Sequence, residues 1–251
     1  MLNVIIRDII IFAFAVLLSF LIDFKKSINY WYALLLFFVI GFIDNLFYTL
    51  TMTYPGSQLI KTHIWNNNLV FNWSSKLYSI IFAIILLTPL NKIITADEIG
   101  LRFKQNENSI RFSLFFILLF FIISTIIGLL SEKEYFDINT LFYAAIMPGL
   151  NEELIYRGFL LGFLNKIFAR NFKILNTNFG WGAILTSIVF GLLHGFKLSD
   201  NYMIHFDFIA ILISCIYGFI FALIKERSGS LVFPVIAHST TDFFNFFFRM
   251  I

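Results

Sequence analysis

The sequence has 251 residues, 59% of them hydrophobic and 13% charged, with a net charge of +3 and a mean hydropathy of +0.86. Soluble domains carry roughly 25% charged residues, so this chain lacks the polar surface needed to face water on all sides. The small net charge, without any Lys/Arg block, argues against a nucleic-acid partner. A single cysteine, Cys215, excludes a disulfide framework and a Cys-rich metal site.

A bilayer core about 30 Å thick takes roughly 20 apolar residues as helix. In chain order the sequence offers eight such spans, near 4–22, 31–52, 77–94, 112–130, 141–168, 181–195, 206–225 and 231–248. In the first, Arg7 precedes an apolar run with no small-residue cleavage site after Leu21, so it is expected to be a retained helix rather than a signal peptide. The sixth is short and could extend into 176–180 or stop below the surface. Short polar linkers separate the spans, and none of the runs alternates in polarity as barrel strands would. Helices satisfy their own backbone groups where no water can. The expected fold class is therefore all-α, a polytopic transmembrane helical bundle of about eight helices. It forms one integral membrane domain over 1–251, with four N-terminal helices over 1–130 and a four-helix core over 141–248. The 35 Phe residues read as lipid-facing filler and carry no assignment.

Loop charges predict an orientation. The odd loops between spans hold Lys25, Lys26, Lys92, Arg102, Lys104, Arg111, Lys166, Arg170, Lys173, Lys225 and Arg227. The even loops and termini hold fewer: Arg7, Lys61, Lys76, Lys133, Lys197 and Arg249. The positive-inside rule then puts the odd loops in the cytoplasm and both termini outside.

Ionisable groups within the spans carry the functional information, because a charge at mid-bilayer costs roughly 2.5–3.5 kcal/mol on insertion scales. Span five holds Glu152, Glu153 and Arg157, span six ends with His194, and span eight holds His238 and Asp242. At 1.5 Å per residue, Glu152 lies roughly 17 Å, His194 roughly 20 Å and His238 roughly 10 Å from the starts of their spans. All three fall inside the hydrocarbon zone and can meet. Glu153 and Arg157 are spaced i,i+4 with the acid first, the favourable order for a helix ion pair. Glu152 points about 100° away from its neighbour. Farther from the guanidinium and partly desolvated, it is predicted to be the readier proton acceptor. Pro148 and Gly149 are expected to open or kink the helix, setting both acids near a partly positive helix end. His238 and Asp242, also i,i+4, form a candidate orienting pair that fixes the imidazole tautomer. Phe190 sits one turn from His194 and is expected to wall the site. Asp44 and Asn45 in span two have no identifiable partner; His63 and His205 fall in loops, where they are expected to be solvated.

The ordered strings Glu152-Glu153-x-x-x-Arg157, Phe190-x-x-x-His194 and His238-x-x-x-Asp242 resemble the three motifs of one family. That family is the CAAX protease and bacteriocin-processing (CPBP, or Abi) group of intramembrane glutamate endopeptidases, which includes the type II CAAX prenyl endopeptidases. The resemblance covers about 141–248. It implies that Glu152 and His194 activate a water, that Glu153 and Arg157 brace the site, and that His238 with Asp242 supports the oxyanion. The last position is commonly Asn in the family, and an anion there suits an orienting role better than direct oxyanion contact. The implied partners are a peptide or protein substrate and the lipid bilayer, in a multi-pass protein of the cell membrane that matures peptides or confers bacteriocin immunity. No cofactor is expected. Glu152, His194, His238 and Asp242 could in principle ligate one metal ion, yet the sequence has no HExxH spacing and a metal-free mechanism is preferred. Two other classes remain open: a non-catalytic membrane adaptor of the same fold, and a proton-coupled transporter using the buried acids and histidines as a relay.

Overall fold

Every predicted span is helical in the computed structural model, which describes residues 1–65 and 69–251. In chain order, α1 (Leu2–Ile22) is followed by the short α2 (Phe24–Asn29) and then by α3 (Trp31–Thr53). A small hairpin, β1 (His63–Trp65) with β2 (Leu69–Phe71), leads to α4 (Trp73–Leu90), the short α5 (Ala96–Ile99) and α6 (Ile110–Leu130). α7 (Ile138–Glu152) runs through a π-helical stretch, Glu153–Leu160, into α8 (Leu161–Ile167). The hairpin of β3 (Phe172–Ile174) and β4 (Thr177–Phe179) precedes α9 (Trp181–Gly195). A third hairpin, β5 (Phe196–Leu198) with β6 (Ile204–Phe206), precedes α10 (Phe208–Ser228) and α11 (Val232–Met250). The three antiparallel hairpins, absent from the sequence reading, are three residues per strand and cap loops.

The chain is an all-α helical membrane bundle. α1, α3, α4, α6 and α10 are each long and apolar enough to cross a membrane, and α9 is a shorter apolar helix. α7 and α8, 15 and 7 residues long on either side of the π stretch, are each too short to join that group, and α11 carries polar side chains of the site. α9 begins at Trp181 and does not extend into 176–180, which β4 and Gly180 occupy.

Residues 153–164 are buried on every side, which makes the π stretch and α8 the axis of the bundle. Ile155, Phe159, Leu160, Phe163 and Leu164 of this axis join Phe12 of α1 and Phe37 of α3 in the principal core. A helix that packs all round must be apolar all round unless its polar groups are paired internally. Gly149 permits the closest approach of α7 to α11, since a Cβ there would lie 2.5 Å from Ser239 Oγ and 2.9 Å from the Val235 carbonyl.

Two sets of loop contacts mark the ends of the bundle. At one end Leu231 N donates to Gly100 O (2.9 Å), Asn106 N donates to Ser228 O (2.9 Å), and Arg227 reaches the carbonyls of Asn108 and Leu175. At the other, Asn3 of α1 bonds the Leu198 carbonyl (2.8 Å), Lys133 bonds the Phe248 carbonyl (2.9 Å), and His63 meets Asp137 (2.6 Å). His63 is therefore not a solvated loop residue: it is half-buried in β1 against the carboxylate that N-caps α7. His205 lies exposed in β6.

Two further expectations change. α4 starts four residues earlier than predicted, because Asn72 accepts the Ser75 N–H and caps the helix there. Lys76, counted among the loop charges, is thus inside a spanning helix. The predicted opening at Pro148 and Gly149 is also absent. α7 passes through Pro148 and widens into the π stretch at Glu153, so no fresh helix end faces the acids. A proline removes one N–H from the ladder, and the wider π turn keeps the chain helical beyond it.

Candidate active site

The site begins where α7 becomes π-helical. Single π turns within α-helices are rare and concentrate at functional positions, and here the widened stretch starts between two consecutive glutamates. Glu153 is fully buried and Arg157 is 1% exposed. Arg157 Nη1 donates to Glu153 Oε1 at 3.1 Å, as the i,i+4 spacing predicts. The guanidinium lies over the rings of Phe190 (4.3 Å) and Phe221 (5.3 Å), so aromatic faces replace the water it would otherwise have. Gly218 of α10 makes room for it: a Cβ there would stand 3.0 Å from Arg157 Nη2.

α11 brings in His238, buried against the flat face of Phe221 with ring centroids 5.0 Å apart. Its Nδ1 lies 2.7 Å from Glu153 Oε1, the same oxygen that accepts from Arg157. Its Nε2 faces Glu152 Oε2 at 3.9 Å and Asp242 Oδ2 at 3.6 Å. The expected His238–Asp242 pair is present as an ion-pair contact at 3.6 Å, and the hydrogen bond to the ring comes from Glu153.

His194, near the C-terminal end of α9, is exposed. Its Nδ1 lies 2.7 Å from the Phe190 carbonyl. With Nδ1–H donating to that carbonyl, Nε2 is left to act as an acceptor. Phe190 contacts both imidazoles, 4.5 Å from His194 and 6.1 Å edge-on from His238 between ring centroids. It is buried, so it forms an internal partition under both rings. Glu152 and His194 lie within Coulombic reach of one another. Three separate helices therefore deliver Glu152, Glu153, Arg157, His194, His238 and Asp242 to one region around Phe190. Among the described residues no group of three His, Cys, Asp or Glu side chains is arranged to hold a metal ion.

Residues 134–244 match the family model described as type II CAAX prenyl endopeptidase Rce1-like. The match makes that segment similar to the Rce1-like proteins of the CAAX protease and CPBP group, and the segment carries all of the residues above. No curated protein and no solved structure matches the chain.

Sequence reasoning missed two contributors, both outside the matched segment. Lys76, on the first turn of α4, places Nζ 2.8 Å from Glu152 Oε1. The signal was present, since a lysine four residues after a capping Asn belongs to the helix, but the span was drawn from residue 77. Asp44 of α3, without an evident partner in the sequence, accepts from Ser79 Oγ of α4 and from Asn151 Nδ2 of α7 (3.2 Å). Asn45 donates to the Gly41 carbonyl (2.9 Å) and to the Tyr156 hydroxyl (3.3 Å). Helices α3 and α4 thus reach the matched segment through polar bridges beside Glu152.

Proposed function

We propose that the protein is an intramembrane endopeptidase of the cell membrane that hydrolyses a peptide or protein substrate with a water activated by Glu152 and His194. The observation that carries this reading is the state of the Glu152 carboxylate. One oxygen is held by Lys76, while Oε2 is buried and takes no hydrogen bond from the protein. A carboxylate oxygen left without a donor in a buried site is costly, and an acceptor beside two imidazoles is what abstraction of a proton from water requires. In this reading Glu152 Oε2 takes the proton as water attacks the scissile carbonyl. His194 Nε2 holds the water and helps return the proton to the leaving amine.

His238 is assigned to the developing oxyanion. Lys76 and Arg157 are two permanent cations facing the carboxylates of Glu152, Glu153 and Asp242, and a proton on His238 balances the third. With Nδ1–H committed to Glu153, the Nε2–H of that imidazolium points into the site and can donate to a tetrahedral intermediate. Glu153 and Arg157 act by holding His238 and the π turn in place, and Asp242 only modulates the field. The chemistry needs no cofactor, and the whole chain acts as one membrane domain whose core spans 141–248. Peptide maturation or bacteriocin immunity is the assigned biological setting.

Purified protein in lipid nanodiscs, offered peptides with and without a C-terminal prenylcysteine motif, provides the test. Glu152→Gln should lose at least about 100-fold in kcat, the scale of a general base, while the protein remains folded. Undiminished cleavage by Glu152→Gln would refute the assignment. A cellular phenotype that persists in both Glu152→Gln and His194→Asn would instead favour a non-catalytic adaptor.

A further inference from the structure

We propose that Lys76 is a positioning residue for the reaction, holding Glu152 by one oxygen so that the other remains free to meet water. The inference rests on the assignment of Glu152 as the base, and deepens it by bringing a residue of α4 into the site.

The ammonium sits 2.8 Å from Glu152 Oε1 and makes no other hydrogen bond among the described residues. Both side chains are largely enclosed, at 19% and 15% exposure. Such a pair is weak evidence of stabilisation, since desolvating two charges offsets much of their attraction. Nor is it needed to tie α4 to α7. Ser79, three residues along α4, reaches Asp44, which in turn accepts from Asn151, the residue preceding Glu152. That neutral-to-acid bridge already fixes the two helices in register on the same side. What Lys76 adds is directional. An ammonium is a point donor and occupies a single carboxylate oxygen, whereas a guanidinium is a planar fork that tends to occupy both. At Glu153 the protein uses the arginine, which reaches only Oε1, the oxygen that also meets His238 Nδ1, and leaves Oε2 buried without a partner. At Glu152 it uses the lysine, and Oε2 is left facing His238 Nε2 at 3.9 Å.

The test replaces Lys76 by Met and, separately, by Arg in the full-length protein, and measures kcat, KM and thermal unfolding in nanodiscs. Lys76→Met should lower kcat about 100-fold with KM changed less than threefold, the outcome for a base that loses its orientation. Lys76→Arg keeps the charge and the fold, yet should lower kcat at least about tenfold, because the fork takes up the free oxygen. If Lys76→Met does not fold, Lys76→Arg alone decides. Either variant, folded and within threefold of the parent kcat, overturns the inference. If Glu152→Gln is itself fully active, the assignment of the base fails first; if Glu152→Gln is dead while Lys76→Arg and Lys76→Met cleave normally, only the role of Lys76 fails.

Discussion

Replacing Arg157 by Met removes a buried cation while keeping most of its volume, and the structure sets the scale of the loss. The guanidinium lies 3.1 Å from Glu153 Oε1. At an effective dielectric of roughly 20 that separation corresponds to a gross attraction of about 5 kcal/mol. Desolvation of the cation, already met by the Phe190 and Phe221 faces, is recovered in the variant, whereas Glu153 is left fully buried with His238 as its remaining partner. Breaking a buried pair from one side typically costs about 3–5 kcal/mol, and Arg157→Met should fall in that range. Glu153→Gln in the same background removes the stranded charge. The double variant should recover at least half of the loss, giving an interaction energy of about 2 kcal/mol or more in a double-mutant cycle. Reversible unfolding of the purified protein in mixed micelles, followed by circular dichroism, measures all four corners. Single and double variants all within about 0.5 kcal/mol of the parent would show that the polar axis of the bundle is not held by this pair.

Three further outcomes are expected. Gly149→Ala places a Cβ 2.5 Å from Ser239 Oγ and 2.9 Å from a backbone carbonyl, so α7 and α11 must separate; overpacking of this kind costs about 1–3 kcal/mol, readable as a lowered unfolding midpoint. Asp242→Asn should keep cleavage within about tenfold of the parent, because its oxygen stands 3.6 Å from His238 Nε2 and Glu153 orients that ring; a dead but folded Asp242→Asn protein would contradict this division of roles. At the α7 N-cap, burial raises the Asp137 carboxyl's pKa, but hydrogen bonds from Thr140 and His63 outweigh it and hold the group below its ordinary value of 3.8. A depressed folded pKa means stability that is complete above pH 3.8 and fades as pH falls through the lower folded value. Thermal unfolding between pH 5 and pH 2 should therefore show an acid loss in the parent that is smaller in Asp137→Asn, a cap without a titrating group.

Much of the site was legible before any coordinates. Glu153 and Arg157 were paired correctly because i,i+4 spacing along one helix is a local property that survives the local change to π geometry. The gathering of spans five, six and eight around one region was foreseeable from the energetic cost of stranding acids and imidazoles in lipid. The partner of each imidazole was not. His238 turned out to be oriented by Glu153 from another helix, and His194 by a carbonyl of its own, because side-chain direction depends on how the helices are rotated against each other. Lys76 and Asp44 escaped for the same reason: each gains a partner only when α3 and α4 dock beside α7.

By itself the sequence determined the helical membrane class of the protein, the order of its apolar spans, and the acids, arginine and histidines gathered at the site. Those features follow from hydrophobic length, linker polarity and fixed spacing, all of which are local along the chain. Only the tertiary structure decided which oxygen of Glu152 is held, which carboxylate faces which nitrogen of His238, and that a lysine of α4 completes the group. Contacts between helices depend on packing geometry over tens of ångströms, and no short-range pattern in the sequence encodes that rotation.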